Sequence, residues 1–196
     1  MNRWRDRLFV MGGLATSLLA GWILFPWLLY QRIEQPLNFS HRAHAGDGVG
    51  LACEDCHPLA TDGRHGGIPA LQKCVECHQE VIGESPHEAR LVEDYVRGDR
   101  PIPWQVYWRQ PDNVHFSHAA HVRLAELACE ECHGDHGLSD RLPPYERNRI
   151  SGYSRNIWGS SLARIGTGRG DGMKMNDCTG CHRRLGVVDG CLDCHK

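Results

Sequence analysis

Apolar side chains are scarce outside the first 30 residues. Residues 31–196 are only about 31% apolar when cysteine is left out, well below the share in an ordinary globular domain. The 22 glycines and 10 prolines also disfavour long helices and strands. A core made only of packed side chains is therefore excluded for this region. Either residues 31–196 are disordered, or something other than side chains fills their interior.

Two further absences narrow the class of protein. No basic patch is interleaved with aromatic side chains, so nothing in the sequence resembles a nucleic-acid site. No cysteine precedes Cys53, which excludes an N-terminus of the lipoprotein type. Residues 31–196 carry 19 Lys and Arg against 23 Asp and Glu. This net negative charge suits either simple solubility or the steering of a positively charged partner.

Charge is absent from residues 8–30, a run of 23 residues that is long enough to span a bilayer as a helix. Three arginines precede the run, and the positive-inside rule then places the N-terminus in the cytoplasm and the rest of the chain outside. A cleaved signal peptide is the alternative, but no small-x-small cleavage site lies near Ala20. We expect a cytoplasmic stub and transmembrane anchor over residues 1–30 and a periplasmic domain over residues 31–196.

All ten cysteines fall into five Cys-x-x-Cys-His motifs, and none is left over. The paired cysteines are Cys53 and Cys56, Cys74 and Cys77, Cys129 and Cys132, Cys178 and Cys181, and Cys191 and Cys194. This is the attachment signature of c-type haem, in which two thioethers hold one porphyrin edge and the adjacent histidine is placed under the iron. Zinc ribbons, disulfides and redox-active cysteine pairs do not require a histidine after each pair. The motifs therefore predict five covalently bound haems with proximal ligands His57, His78, His133, His182 and His195.

The predicted haems explain the shortage of apolar side chains. Five haems in the extramembrane part leave about 33 residues for each, and large apolar porphyrins fill the interior that side chains do not. The predicted fold class is a haem-packed multihaem cytochrome c with little regular structure, short α-helices and one N-terminal transmembrane helix. Covalent haem attachment takes place outside the cytoplasmic membrane, which agrees with the topology inferred from the arginines.

An internal repeat precedes the first and the third motif. The segments 38–44 and 115–121 share the pattern Phe-Ser-His-x-Ala-His and lie 77 residues apart. Two repeat units, at about 37–100 and 114–196, are therefore predicted to be haem-binding modules of one plan.

The repeated histidines are predicted to be distal ligands. His41 and His44 are one helical turn apart and cannot bind one iron from opposite sides, so they are expected to serve two haems. The same reasoning applies to His118 and His121. A methionine as the fifth distal ligand would raise the potential of that haem relative to two histidines. The candidates for the fifth ligand are His136, Met173, Met175, His65 and His115.

A short helix is predicted after the second motif. Residues 85–88, Ser-Pro-His-Glu, form a capping-box pattern with proline at the first helical position. Four apolar residues between positions 91 and 96 continue with helical spacing, and we expect this helix to pack beneath a haem. Residues 137–177 contain no cysteine and are predicted to be either a solvated loop or a strap that docks on a partner subunit.

The order of these segments resembles a known family. The N-terminal anchor is followed by residues 34–44, Glu-Gln-Pro-Leu-Asn-Phe-Ser-His-Arg-Ala-His, by Gly-Ile-Pro at 67–69 and by Gly-Met-Lys-Met at 172–175. In this order the chain is similar to the membrane-anchored multihaem cytochrome subunits of Qrc menaquinone reductase and of alternative complex III. The stretch 147–158 and the C-terminal residues 191–196 favour the Qrc subunit.

The resemblance implies an electron-relay subunit without a substrate site of its own, held in the cytoplasmic (inner) membrane. It implies that electrons arrive from a basic periplasmic tetrahaem cytochrome and pass towards menaquinone. The implied partners are an iron–sulfur subunit, a molybdopterin-oxidoreductase-like subunit and a polytopic quinone-binding membrane subunit. The Qrc subunit is credited with six haems, whereas ten cysteines give five regular attachments here, so a sixth would require irregular binding.

Two alternative functions use the same features. One is the pentahaem subunit of alternative complex III, which carries electrons away from quinol. The other is a stand-alone quinol dehydrogenase of the NapC or NrfH type, although Cys53 comes 23 residues after Tyr30, farther from the anchor than is usual there. A catalytic multihaem reductase is disfavoured because all five motifs end in histidine.

Overall fold

The computed structural model describes residues 3–45, 48–64, 66–107, 112–150, 173, 175–188 and 190–195. The ligand candidate His65 and most of the predicted loop or strap at 137–177 lie outside the described residues.

The chain begins with a long exposed helix. It consists of α1 (Arg3–Leu19), a π-helical turn (Ala20–Leu24) and α2 (Phe25–Leu29). The stretch Arg3–Leu24 is long and apolar enough to cross a membrane, and none of its most apolar window is buried within the protein. Pro26 lacks a backbone N–H, so the α-helical ladder is interrupted there, which fits the π-helical turn just before it. The expected N-terminal helix is thus present, although it ends at Leu29.

Tyr30 belongs to a strand. In this two-stranded antiparallel sheet, β1 (Tyr30–Ile33) pairs with β2 (Tyr145–Asn148), with Tyr30 opposite Asn148. The N–H of Arg149 also donates to the carbonyl of Leu29 at 2.8 Å. The sheet therefore holds the end of the N-terminal helix against a segment more than a hundred residues later.

The other described elements are short helices, as the sequence predicts. The α-helices are α3 (His41–Ala45), α4 (Cys53–Cys56), α5 (Leu71–Val75), α6 (Pro86–Arg90), α7 (Glu130–His133), α8 (Met175–Leu185) and α9 (Cys191–Cys194). Two π-helical segments (Leu91–Val96 and Ala119–Leu124) and one 3-10 turn (His136–Leu138) complete the set. The architecture agrees with the expected fold class in its short helices, while the packing of haem between them stays a prediction.

Buried apolar side chains are few. Leu37, Leu71 and Ile102 form one cluster, and Tyr95 and Trp104 are among the half-buried residues packed against it. In the described part of the chain, Val92 is the most deeply buried large side chain, with 2% exposure. Within the described residues, the side-chain core thus lies around α5, which contains Cys74, the first cysteine of the second motif.

The helix predicted after the second motif is present as α6 and the π-helical segment Leu91–Val96. Ser85 is its N-cap, accepting a hydrogen bond from the N–H of His87 at 3.3 Å, and Pro86 occupies the first helical position. The Glu88 side chain accepts the backbone N–H groups of Ile82 and Gly83, at 2.9 Å each, upstream of the cap. The capping-box pattern therefore predicted the start of the helix correctly but not the partners of Glu88.

Candidate haem-binding sites

Each cysteine motif is wound into a single helical turn. In four of them the histidine N–H donates to the carbonyl of the first cysteine, four residues back, at 2.8 to 2.9 Å. The remaining one, the fourth motif at 178–182, lies inside the longer helix α8. A helical turn places residues i, i+3 and i+4 on one face, so both thiols and the histidine of a motif face the same side. All ten cysteines, each within the described residues, are free thiols.

The two repeated segments have the same local geometry. The ring of Phe39 stacks on His44 with centroids 4.3 Å apart, and Phe116 stacks on His121 at 4.5 Å. Phe39 also meets the edge of the His41 ring at 4.9 Å, as Phe116 meets that of His118 at the same distance. The serine after each phenylalanine accepts a backbone N–H at 3.2 Å, which starts the helical turn. The two copies of the pattern therefore hold their histidines in the same way.

Each of the four repeat histidines faces the histidine of a cysteine motif. The ring centroids are separated by 6.4 Å for His41 and His57, 6.0 Å for His44 and His78, 6.3 Å for His118 and His133, and 6.1 Å for His121 and His182. These distances exceed the 4.3–4.9 Å of the Phe–His contacts and lie in the upper part of the range for interacting aromatic rings. They leave a gap between the two rings that has nearly the same width in all four pairs.

The gap has the width that a metal ion between two imidazoles requires. Two imidazoles that bind one ion from opposite sides, with metal–nitrogen bonds of about 2 Å, have ring centres about 6 Å apart. In each pair, one ring comes from a motif whose two thiols share its helical face. The donor set of two thiols and two facing imidazoles thus fits c-type haem at the first four motifs.

Hydrogen bonds fix which ring nitrogen is left for a metal. The Nδ1 atoms of His44 and His121 donate to the carbonyls of Ser40 and Ser117, each at 2.8 Å. The Nδ1 atom of His57 donates to the Gly67 carbonyl at 2.7 Å. When Nδ1 carries the proton, the lone pair is on Nε2, and metal-binding histidines ordinarily use their second nitrogen in this way.

His41 and His118 follow the same rule. The Nδ1 atom of His118 donates to the Arg64 carbonyl at 2.6 Å. The Nδ1 atom of His41 lies 3.3 Å from the Ser139 hydroxyl, which itself donates to the His136 carbonyl at 2.8 Å. Since the hydroxyl proton is used, Ser139 accepts from His41.

His78 has a different partner. Its Nδ1 atom donates to the Glu88 carboxylate at 2.8 Å, and both side chains are largely buried. Burial alone would raise the pKa of Glu88, but the hydrogen bonds from Ile82, His78 and Gly83 outweigh it and the pKa lies below its usual value. Glu88 is therefore an anion. Sequence analysis placed this residue in the cap and missed its contact with His78.

Burial keeps two of the facing imidazoles neutral. The pKa of His41 is lowered to about 4, first by burial and then by His57 and other nearby histidines. The pKa of His133 is lowered to about 4 by burial, followed by His118 and two further histidines. A neutral imidazole is the form that binds a metal, so both rings are ready to do so near neutral pH.

The first three motifs lie side by side. Burial raises the pKa of the Cys74 thiol, and the charge of nearby Cys56 adds to this effect. Burial and then the nearby Cys129 raise the pKa of Cys53. The second motif thus adjoins the first, and the first adjoins the third.

The series continues towards the C-terminus. Burial, then Cys181 and Glu131, raise the pKa of Cys132. The pKa of Cys178 is raised by burial and then by Asp177, Cys132 and Cys194. The third motif therefore adjoins the fourth, and the fourth adjoins the fifth.

The fifth motif is joined to the segment that begins the second repeat. Val114 forms an antiparallel bridge with His195, and the His115 N–H donates to the Cys194 carbonyl at 2.7 Å. Among the other candidate ligands, Met175 is 60% exposed at the start of α8. His136 lies near His41 and His133, on the side of the first and third motifs. Met173 is half-buried.

Two acidic residues within the motifs have local partners. Asp55 accepts the N–H of Ala52 at 2.8 Å, and Asp193 accepts the N–H of Gly190 at 2.6 Å. Each carboxylate therefore closes the start of a haem-motif turn. In the sequence these two residues counted only towards the net negative charge of residues 31–196. The shared third position of the motif was the signal that could have revealed this role.

Comparison with known proteins gives one strong similarity. The chain is 39% identical over 199 residues to a protein of Nitratidesulfovibrio vulgaris (strain Hildenborough) described as the multihaem cytochrome c subunit of menaquinone reductase. The aligned region covers 94% of this chain and 87% of that protein. No protein-family model matches the chain. The similarity therefore extends over nearly the whole of both chains.

Proposed function

The chain belongs to the family of multihaem cytochrome c subunits of menaquinone reductase, and from this premise we propose that it relays electrons through five c-type haems between a periplasmic cytochrome and a membrane quinone oxidoreductase. The observation that carries the proposal is the set of four motif histidines, each facing a second histidine across about 6 Å. In this reading the chain is an electron-transfer subunit without substrate chemistry of its own.

Cysteines and histidines have different roles in holding the haems. When bound, a c-type haem supplies a one-electron carrier whose potential depends on its ligands and surroundings. The ten motif cysteines form the thioethers, and the five motif histidines are the proximal ligands. His41, His44, His118 and His121 are the distal ligands of the first, second, third and fourth haem respectively. Their hydrogen-bonded Nδ1 atoms keep each ring in the orientation that a metal bond needs.

The neighbouring motifs suggest the path. Electrostatic interactions between thiols connect the second motif to the first, the first to the third, the third to the fourth and the fourth to the fifth. We therefore propose one unbranched series, with the second and fifth motifs at its ends. In such a series, the haem at one end exchanges electrons with the periplasmic donor, and the haem at the other end exchanges electrons with the partner subunit.

The distal side of the fifth haem is assigned to the remaining candidates. His115 is the one whose backbone is bonded to the fifth motif, and we propose it ahead of Met173 and Met175. His136 lies by the first and third motifs and is assigned a supporting role there. The ten cysteines support five haems, and no residue of the chain is assigned to a sixth.

The membrane placement follows from the N-terminal helix. Residues 1–30 are proposed to be the stub and anchor, with the arginines cytoplasmic and residues 31–196 in the periplasm. The proposed partners are an iron–sulfur subunit, a molybdopterin-oxidoreductase-like subunit and a polytopic quinone-binding subunit. The excess of acidic residues suits a basic tetrahaem cytochrome as the electron donor.

Purification from native membranes tests this function. A C-terminal affinity tag on the full chain should recover the partner subunits together with five haems per chain. Reduction by a basic periplasmic cytochrome, followed by reoxidation with a menaquinone analogue, should require the partner subunits. Recovery of the chain alone, with direct reduction by quinol, would instead identify a stand-alone quinol dehydrogenase. Electron flow only from quinol to a cytochrome would identify the alternative complex III role.

A further inference from the structure

The Glu88 carboxylate occupies a built site against His78. Its two oxygens receive three donors: Nδ1 of His78 at 2.8 Å, and the N–H groups of Ile82 and Gly83 at 2.9 Å each. The side chains of Glu88 and His78 are 11% and 18% exposed. Because α6 starts at Pro86 behind the Ser85 cap, the backbone holds Glu88 in this position.

The partner of His78 differs from those of the five other imidazoles whose Nδ1 contacts are described above. Four of those rings donate to backbone carbonyls, namely His44, His57, His118 and His121. His41 bonds to a serine hydroxyl. Only a carboxylate brings a full negative charge to the ring, so His78 is the one of these six imidazoles whose Nδ1 partner is an anion.

We propose that Glu88 is a positioning residue that lowers the reduction potential of the haem held by the second motif. The inference rests on the proposed function, since it requires a haem at this motif. A carboxylate on Nδ1 makes the imidazole a stronger electron donor to the iron, and hydrogen bonding around the ligands is one of the means by which a protein sets haem potential. Reduction adds one electron and hence one negative charge beside anionic Glu88, while the Nδ1 proton stays between His78 and Glu88. The oxidised state is thereby favoured.

The position of the second motif indicates how the lowered reduction potential would affect the direction of electron flow. This motif adjoins the first through Cys74 and Cys56 and stands at one end of the proposed series. Electrons move spontaneously from low to high potential. An end haem of lowered potential therefore receives electrons from the donor when the flow runs towards quinone.

The test compares two glutamine variants of the full-length, haem-loaded chain in redox titrations followed by visible and paramagnetic resonance spectroscopy. Glu88→Gln removes the charge that contacts His78. Glu84→Gln removes a charge from the same loop at an exposed position and is the matched control. In Glu88→Gln, the one-electron reduction equilibrium of one haem should shift about tenfold towards the reduced form. Its reduction potential should therefore rise by about 59 mV. Glu84→Gln should leave every component in place.

A second measurement needs no change at Glu88. Replacement of the facing ligand, His44→Met, raises the potential of the second-motif haem and so identifies its component in the wild-type titration. That component should lie below the component of the first-motif haem, identified in the same way by His41→Met, because His57 bonds to a carbonyl instead of a carboxylate. The reverse order in the wild type, or equal shifts in the two glutamine variants, would overturn the inference. Absence of haem from the wild-type second motif, measured by peptide mass, would refute the proposed function there instead.

Discussion

At the scale of single residues, the sequence predicts which histidines are ligands but not how they are paired. The spacing of His41 and His44 predicts that they serve two irons, because one helical turn separates them. It does not show that His41 faces the first motif and His44 the second. That assignment depends on the direction of α3, which is fixed by the Ser40 cap and by contacts with residues 136–140.

Replacement of His118 should leave one haem iron without its second histidine ligand. In His118→Gln, the third-motif haem loses the ring that faces His133 across 6.3 Å, and we expect one low-spin signal to be replaced by a high-spin signal in electron paramagnetic resonance. His136→Gln is the control, because His136 is assigned a supporting role near the same motif. A wild-type spectrum of His118→Gln would show that another group closes this iron.

The phenylalanines of the repeat were not predicted to have a role, yet each contacts both histidine rings of its own segment. Phe116 packs on one face of His121 and on the edge of His118, which restricts rotation of both rings before any metal binds. The signal was available, since phenylalanine recurs at the same place before His41. The role of this recurring phenylalanine could be recognised only from the distances between the rings in the structure.

Phe116→Leu should therefore loosen two haems at once while keeping an apolar side chain in place. We expect broadened low-spin signals for the third and fourth haems, with the signals of the first and second unchanged. Phe39→Leu is the matched variant and should affect the first and second haems instead. Equal broadening of all four signals in either variant would contradict the assignment of each phenylalanine to its own pair.

At the scale of elements, local signals predicted where helices begin better than how they continue. Ser85 and Pro86 mark the start of α6 as expected. Past Leu91 the helix changes to π-helical bonding. This change has no local signature in the sequence, and the segment packs through Leu91, Tyr95 and Val96 against the cluster of Leu37, Leu71 and Ile102.

Val92→Ala should destabilise this part of the molecule. The side chain is 2% exposed, and removal of two buried methyl groups with a residual cavity costs about 2 kcal/mol. For a chain of this size, that loss corresponds to a fall of about 4–8 °C in the thermal midpoint. Val188→Ala is the control, because Val188 is 95% exposed. Equal midpoints for the two variants would show that Val92 does not lie in a packed core.

At the scale of the whole molecule, two histidine-bearing segments each hold two motifs together. The helix α3 faces the first and second motifs, and the segment from His118 faces the third and fourth. This explains why the proposed series runs through the motifs in the order second, first, third, fourth and fifth. Sequence repeats predicted two modules, but the contact between Cys53 and Cys129 that joins them is a tertiary feature.

The boundary between anchor and periplasmic domain can be tested by truncation. The sequence places it after Tyr30, but Tyr30 begins β1 and pairs with Asn148. Removal of residues 1–29 behind a cleavable signal peptide should give a soluble, haem-loaded domain. Removal of residues 1–33 deletes β1 and should lower the thermal midpoint and the haem content. Indistinguishable products would show that the two-stranded sheet is dispensable.

Folding of the periplasmic part should depend on haem attachment. Within the described residues, the buried apolar side chains are Leu37, Leu71, Val92 and Ile102, and each contributes about 1.5–3 kcal/mol. Ordering the backbone costs about 1–2 kcal/mol for every residue, so these side chains cannot stabilise residues 31–196 alone. Expression without the haem-attachment machinery should therefore give a chain that lacks cooperative unfolding and is rapidly cleaved by protease. A protease-resistant chain without haem would show that side chains do supply the interior, and the explanation for the scarcity of apolar residues would fail.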